Sequence, residues 1–163
     1  MSIVSQIGQA LAHEFALPSV SNITQLTVRL AMALLLGGLL GWQREHKGQS
    51  AGVKTHMLVS GGSALFVLSP LLAGVPMEPV TRVMQGIVSG VGFLGAGAII
   101  KMQDHERIKG LTTAAGIYLT SAIGMTAGMG LEIAAIIASL LALGVFSLIP
   151  KIMHQEAEPP ADR

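Results

Sequence analysis

The stretch His56-Met57-Leu58-Val59-Ser60-Gly61-Gly62-Ser63-Ala64-Leu65-Phe66-Val67-Leu68-Ser69-Pro70-Leu71-Leu72-Ala73 contains no Asp, Glu, Lys or Arg. The ionless interval around it runs from Lys54 to Glu78, and others run from Arg82 to Lys101, from Lys109 to Glu132 and from Glu132 to Lys151. The hydrocarbon layer of a bilayer is crossed by about 20 mostly apolar residues at 1.5 Å rise each, so uncharged intervals of this size read as spanning helices. Composition agrees: 51% hydrophobic and 12% charged residues with a mean hydropathy of +0.64 are too apolar for a soluble domain of 163 residues. These features predict an all-α integral membrane protein, a bundle of about five transmembrane helices preceded by a short N-terminal amphipathic helix.

Outward from that stretch, the chain divides into an amphipathic segment (1–21), a helical membrane domain (22–150) and a polar tail (151–163). Ile3, Ile7, Leu11 and Phe15 recur at helical spacing with Ser5, Gln9, His13 and Glu14 between them, which predicts an interfacial helix ending near Pro18. Spans are expected over Asn22–Trp42, His56–Ala73, Val83–Ile100, Leu111–Met129 and Glu132–Ile149, the last closed by Pro150. Trp42 falls at headgroup level. Lacking a basic n-region and a cleavage site, the N-terminus is expected to insert through its first span. Arg44, Lys47 and Lys54 lie between spans one and two, Lys101, Arg107 and Lys109 between three and four, and Lys151 and Arg163 in the tail; Arg82 lies on the opposite side. Basic residues are retained in the cytosol, so the N-terminus is expected outside and the C-terminus inside.

Several function classes lose ground on composition. A net charge of +1 gives no basic surface for nucleic acid. Without cysteine there is no disulfide framework, thiolate metal site or Cys nucleophile. No Asp or Glu lies deep in a span, no His/Glu pair has metal spacing, and no Ser/His/Asp set suggests hydrolysis, so neither a metal centre, a cofactor nor catalysis is expected.

Glycine numbers 20 and is concentrated in the spans. Gly90-Val91-Gly92-Phe93-Leu94-Gly95 satisfies GxGxxG, but it lies within an uncharged helical run, without the preceding strand and ribose-binding acid of a dinucleotide site. Gly86, Gly90 and Gly97 lie near one helical face, with Ser89, Gly92, Gly95 and Ala96 beside them. Gly37 with Gly41 and Gly124 with Gly128 repeat a four-residue spacing. Close helix packing is the expected use, with replacement of Gly90 by Leu then collapsing the folded protein; a helix unwound into a selectivity filter is the alternative. Arg29 is the one full charge well inside a span. It lies about 10 Å of helix from Asn22, within snorkelling reach of the outer interface, where Glu78, Glu132 and Arg82 offer a charge cluster. In the loop Arg44-Glu45-His46-Lys47 and at Lys54, the basic residues Arg44, Lys47 and Lys54 are expected to fix topology and touch anionic lipid, which does not explain Glu45, and His56 at the mouth of the second span could sense cytosolic pH. Thr112 and Thr113 are expected to cap the fourth span, anion binding there being the alternative.

Four blocks in order, Gly41-Trp42-Gln43-Arg44-Glu45, Ala51-Gly52-Val53-Lys54-Thr55-His56-Met57-Leu58-Val59, Arg82 with Gly90-Val91-Gly92-Phe93-Leu94-Gly95-Ala96-Gly97, and Gly110-Leu111-Thr112-Thr113-Ala114-Ala115, closely resemble the MgtC/SapB family over roughly residues 26–130. The resemblance implies a bacterial inner-membrane protein linked to growth under magnesium limitation, a regulator of membrane energetics or of another transport complex more than a magnesium carrier. It marks Glu45, Lys54, Thr55, His56, Arg82, Gly90, Gly92, Phe93, Gly95, Gly97, Gly110, Thr112 and Thr113 as family-pattern residues, to which Arg29 is added as an intramembrane charge. Two departures stand out. Longer members continue into a cytosolic ACT-like domain, whereas this chain stops 14 residues after Ile149, so sensing through such a domain is not expected. Lys54 stands where the family pattern leads one to expect arginine, and Pro79-Val80-Thr81 where it has an acid shortly before Arg82, so a bidentate role at position 54 is not expected. The partners implied are the lipid bilayer, further copies of the chain and a larger membrane transporter or ATPase. A transporter or channel with a pathway near the glycine-rich third span is the rival function.

Overall fold

The computed structural model describes residues 2–15, 18–100 and 110–155, and among them the chain is entirely helical, with no strand. Six helices follow in order: α1 (Ile3–Glu14), α2 (Val20–His46), α3 (Val53–Leu72), α4 (Met77–Ile100), α5 (Leu111–Gly128) and α6 (Glu132–Gln155). By length and composition α2, α3 and α4 are able to cross a membrane, and α6 contains a shorter apolar stretch, Glu132–Ser147. The helix α5 is the hub: it packs against α2, α3, α4 and α6, and more than half of its residues are buried.

Glycine determines how close the helices come. A Cβ on Gly37 would lie 2.6 Å from the His56 carbonyl oxygen, one on Gly41 2.6 Å from Val53 Cα, and one on Gly128 2.6 Å from the Ala64 carbonyl oxygen; on Gly124 it would collide with the Ser60 backbone. Two glycine pairs spaced by four residues thus clamp α3 between α2 and α5, backbone against backbone. Behind them a core of small side chains forms where α2, α3, α5 and α6 meet, around Ala33, Ala64, Ala127, Ala135 and Ala142 with Leu36, Leu40 and Ile123. The α4 glycines behave differently. Nothing lies within 4 Å of a Cβ at Gly86, Gly90, Gly92 or Gly97, and only Gly95 is buried, against Ala114.

Several boundaries differ from the sequence expectation. Helix α1 ends at Glu14, short of Pro18, and its apolar stripe is exposed and unpacked. Helix α2 continues a turn past Trp42, so Arg44 and Glu45 are helical residues and not loop residues. Helix α4 begins at Met77, with Pro79 in its first turn where no intrahelical N–H is needed, which places Arg82 on the helix. Helix α6 runs through Pro150 to Gln155, so the first residues of the expected tail are helical; a proline forfeits one helical hydrogen bond without ending the helix. The basic residues Lys101, Arg107, Lys109 and Arg163 lie outside the described residues.

Candidate functional site

Arg44 falls seven residues after Gly37 and three after Gly41, on the side of α2 that faces α3, and therefore points into the bundle; it is 5% exposed. Its Nη2 donates to Gln49 Oε1 (3.0 Å) and, at the long limit of a hydrogen bond, to Thr113 Oγ1 (3.5 Å). Thr113, 1% exposed, donates in turn to Gln49 Oε1 (3.4 Å). The guanidinium stacks on Phe146, 4.6 Å from the ring centroid, in cation–π range. Phe146 is fixed from α2 as well, since Gln43 Nε2 donates to the Phe146 carbonyl (3.3 Å) and to Ser147 Oγ (3.4 Å). All these partners are neutral. Among the described residues the ion pairs are Arg29–Glu132 and Arg82–Glu78, and neither involves Arg44.

His56, on the first turn of α3, is 0% exposed. Its Nδ1–H donates to the Gly52 carbonyl (3.0 Å), a group that can only accept, so this nitrogen carries a proton. Its Nε2 and the Arg44 Nε are buried without partners. Both face Gly116 of α5: a Cβ there would be 3.6 Å from His56 Nε2, 3.9 Å from Arg44 Nε and 3.4 Å from Phe146 Cζ. Absence of a side chain at position 116 therefore leaves an atom-sized space between two polar atoms. Ser60 Oγ and Thr120 Oγ1, each one turn further along its helix, are also buried and unpartnered, while Ser63 and Ser121 share a hydrogen bond of 2.7 Å. A polar seam thus runs between α3 and α5 from Arg44 inward.

The residues singled out in sequence scatter around this seam. Glu45 points the other way; its carboxylate accepts from Val53 N–H (2.8 Å) and so caps α3, and a Cβ on Gly52 would strike that carboxylate. Lys54 and Thr55 are exposed on the first turn of α3, and His56 is sealed inside the bundle and not open at its mouth. The expected capping by Thr112 and Thr113 does not occur: the N-cap of α5 is Gly110, at φ 96° and without a side-chain cap, Thr112 is exposed, and Thr113 is engaged with Arg44 and Gln49. Only glycine suits that conformation, and its Cα surface abuts α4, where a Cβ would lie 3.0 Å from the Ala98 carbonyl oxygen.

At the other end of the bundle, Arg29 Nη1 donates to the Gly128 carbonyl (3.4 Å) and its Nε lies 3.8 Å from Glu132 Oε1, joining α2 to the α5–α6 turn. The expected cluster of four charges is instead two separate pairs, because Arg82 binds Glu78 (3.1 Å) on the exposed first turns of α4. Helix α4 is uninterrupted from Met77 to Ile100, so its glycines do not unwind into a filter, and with open space at Gly90 nothing among the described residues opposes a larger residue there. Gly92 and Phe93 face outward, Phe93 being 80% exposed. Gln49, Gly116 and Phe146 escaped the sequence analysis, in which Arg44 reads as a loop residue; the usable signal was the Gly37–Gly41–Arg44 spacing, which puts the arginine on the packing face. No trio of His, Asp and Glu able to hold a metal occurs among the described residues. What the site offers is buried positive charge and hydroxyls, suited to holding an oxyanion or a hydrogen-bonding group.

A family model described as the MgtC family matches residues 30–155. Protein SrpB of Synechococcus elongatus is 42% identical over 117 residues, 65% of this chain and 64% of that protein. Protein MgtC of Brucella abortus is 42% identical over 125 residues, 77% of this chain and 51% of that protein. The protein of Escherichia coli K12 named "Putative magnesium transporter YhiD" is 37% identical over 139 residues, 80% of this chain and 61% of that protein. The matches thus span between half and two thirds of these relatives' own lengths. No solved structure matches.

Proposed function

The chain belongs to the MgtC family, and from that premise we propose that it is a regulatory protein of the bacterial inner membrane that acts by docking onto a larger transport complex when magnesium is scarce. The magnesium link rests on what the family resemblance implies and on the magnesium transport named for one relative. The observation that carries the docking is the outward side of α4. Ser89, Gly92 and Ala96 repeat at helical spacing, all exposed, with Phe93 projecting beside them, and among the described residues no other helix covers them. Small residues on a lipid-facing helix allow a second helix to approach closely, and an exposed aromatic beside them supplies an anchor. Regulation then requires only that this face bind one state of the partner better than another. No catalytic step is assigned.

In this reading α2 to α6 all cross the bilayer, α1 lies along its outer surface, and the turn between α2 and α3 is cytosolic. The test is twofold. A photo-reactive residue in place of Phe93 should crosslink in native membranes to a transporter or ATPase, and purified protein in liposomes should pass neither magnesium nor protons. Crosslinks to copies of the chain alone would overturn the heterologous docking, and saturable or voltage-dependent flux would replace it with the transporter or channel reading.

A further inference from the structure

Two hollows on the α3–α4 side of the bundle join end to end. The larger, about 740 Å³, runs along the middle of the two helices between Leu58, Gly62 and Phe66 on one wall and Val83, Gly86 and Gly90 on the other. The second, about 530 Å³, lies at the end where α3 and α5 begin and gathers the side chains of Ser50, Thr55 and Thr113 beside Gly97. Val59 and Leu94 line both, so the two form one groove, apolar in the middle and hydroxyl-lined at one end. We propose that this groove seats one anionic phospholipid, its acyl chain in the α3–α4 trough and its phosphate at the Ser50–Thr55–Thr113 end.

Charge argues for an anionic head. Thr113 lines the hydroxyl end and also hydrogen-bonds Arg44, so a buried guanidinium with no carboxylate partner among the described residues lies one side chain behind the groove. A buried charge left unpaired is costly, and a phosphate in front of Thr113 would offset it. Two further features favour negative charge there. The first N–H groups of α5 have no side-chain cap, and Lys54 is exposed beside Thr55. Glycine keeps the trough open, since a Cβ at Gly62, Gly86, Gly90 or Gly97 would stand in empty space. A protein helix is a poorer occupant: a cylinder 10 Å across fills about 400 Å³ per turn, so the trough would take less than two turns, whereas a flexible chain of methylenes follows it end to end. A free anion would leave the trough unexplained. The trough uses the α3-facing side of α4, and the groove adjoins the outward side assigned above to the partner at Phe93, which lines its hydroxyl end.

The test uses the full chain purified in detergent and examined by native mass spectrometry and thermal unfolding with added phosphatidylglycerol, phosphatidylcholine or inorganic phosphate. Phosphatidylglycerol should be retained one per chain and raise the melting temperature, and phosphatidylcholine should be retained at least about fivefold less. Gly90→Leu should fold with an unchanged melting temperature in lipid-free detergent, because its side chain enters open space, and lose most of the retained lipid; Thr55→Val and Lys54→Gln should lose the preference for the anionic head while keeping the fold. Equal retention of both lipids, unchanged retention by Gly90→Leu, stabilisation by inorganic phosphate alone, or a copurifying polypeptide in place of lipid would each overturn the proposal.

Discussion

The Arg44 guanidinium and the His56 imidazole are each satisfied on one side and bare on the other, and the bare sides converge on the missing side chain of Gly116. Arg44 Nε–H needs an acceptor. The second nitrogen of a neutral His56 needs a donor, because Nδ1 already holds the proton. A hydroxyl does both. Gly116→Ser is therefore expected to stabilise the protein by about 1 kcal/mol relative to Gly116→Ala, the net value of a hydrogen bond made to a previously unpaired buried group. Alanine is the proper reference, since its Cβ makes only ordinary contacts at this site while removing glycine's backbone freedom. Thermal unfolding of the two variants in one detergent measures the difference, and a serine variant no more stable than the alanine one would show that the two orphaned atoms are not within reach of position 116. This arrangement was only half legible in sequence. His56 could be singled out, but Arg44 resembled the basic residues that mark cytosolic loops, and nothing in a linear string reports that α2 continues a further turn and carries the arginine inside. Gln49, Gly116 and Phe146 come from three different elements and meet only in the fold.

Among the elements, α3 bears the tightest constraints. The glycine pairs of α2 and α5 grip it from two sides, and in all four contacts the nearest opposing atom is a backbone atom that no rotamer change can move, with Ser60 Cβ also close at Gly37 and His56 Cβ at Gly41. Replacing Gly124 by Ala should consequently cost about 3 kcal/mol, the upper end for overpacking, and appear as a large fall in folded, monodisperse protein on size-exclusion chromatography. Gly86→Ala on α4 should change stability by no more than about 0.5 kcal/mol, as for a substitution in open space. Equal losses from the two would show that α4 is as tightly enclosed as α3. Four-residue glycine spacing was visible in α2, α4 and α5 alike, because periodicity reveals which residues share a face. It does not reveal what that face meets, and so it could not separate the glycines of α2 and α5, used inside the chain, from those of α4, which apart from Gly95 line a groove or look outward. Helix ends were misjudged for a related reason: Arg44, Glu78 and Arg82 are charged, yet each has a burial site or an exposed helical turn that lets the helix continue past the apolar run.

At the scale of the whole molecule, the two arginines of α2 are 15 residues apart, about 22 Å along the axis, and mark opposite ends of the bundle. Arg29 is tied to Glu132 and the Gly128 carbonyl at one end, and Arg44 is enclosed by Gln49, Thr113 and Phe146 at the other. The turn between α2 and α3 and the start of α5 share the Arg44 end, while the turn between α3 and α4 and that between α5 and α6 share the Arg29 end, an alternation that follows from successive helices running up and down the bundle. Lys47 and Lys54 lie at the Arg44 end as well, and in the proposed topology, where basic residues are retained inside, that end is the cytosolic one. The absence of native cysteine makes this sidedness directly measurable. Ser50 and Met77 are both exposed, one in the α2–α3 turn and one at the start of α4, so neither substitution disturbs the core. In intact cells an impermeant thiol reagent should label Met77→Cys and leave Ser50→Cys unlabelled until the membrane is opened. The reverse pattern would invert the topology and place the hydroxyl end of the lipid groove outside; labelling of both from outside would mean that α3 does not cross the membrane.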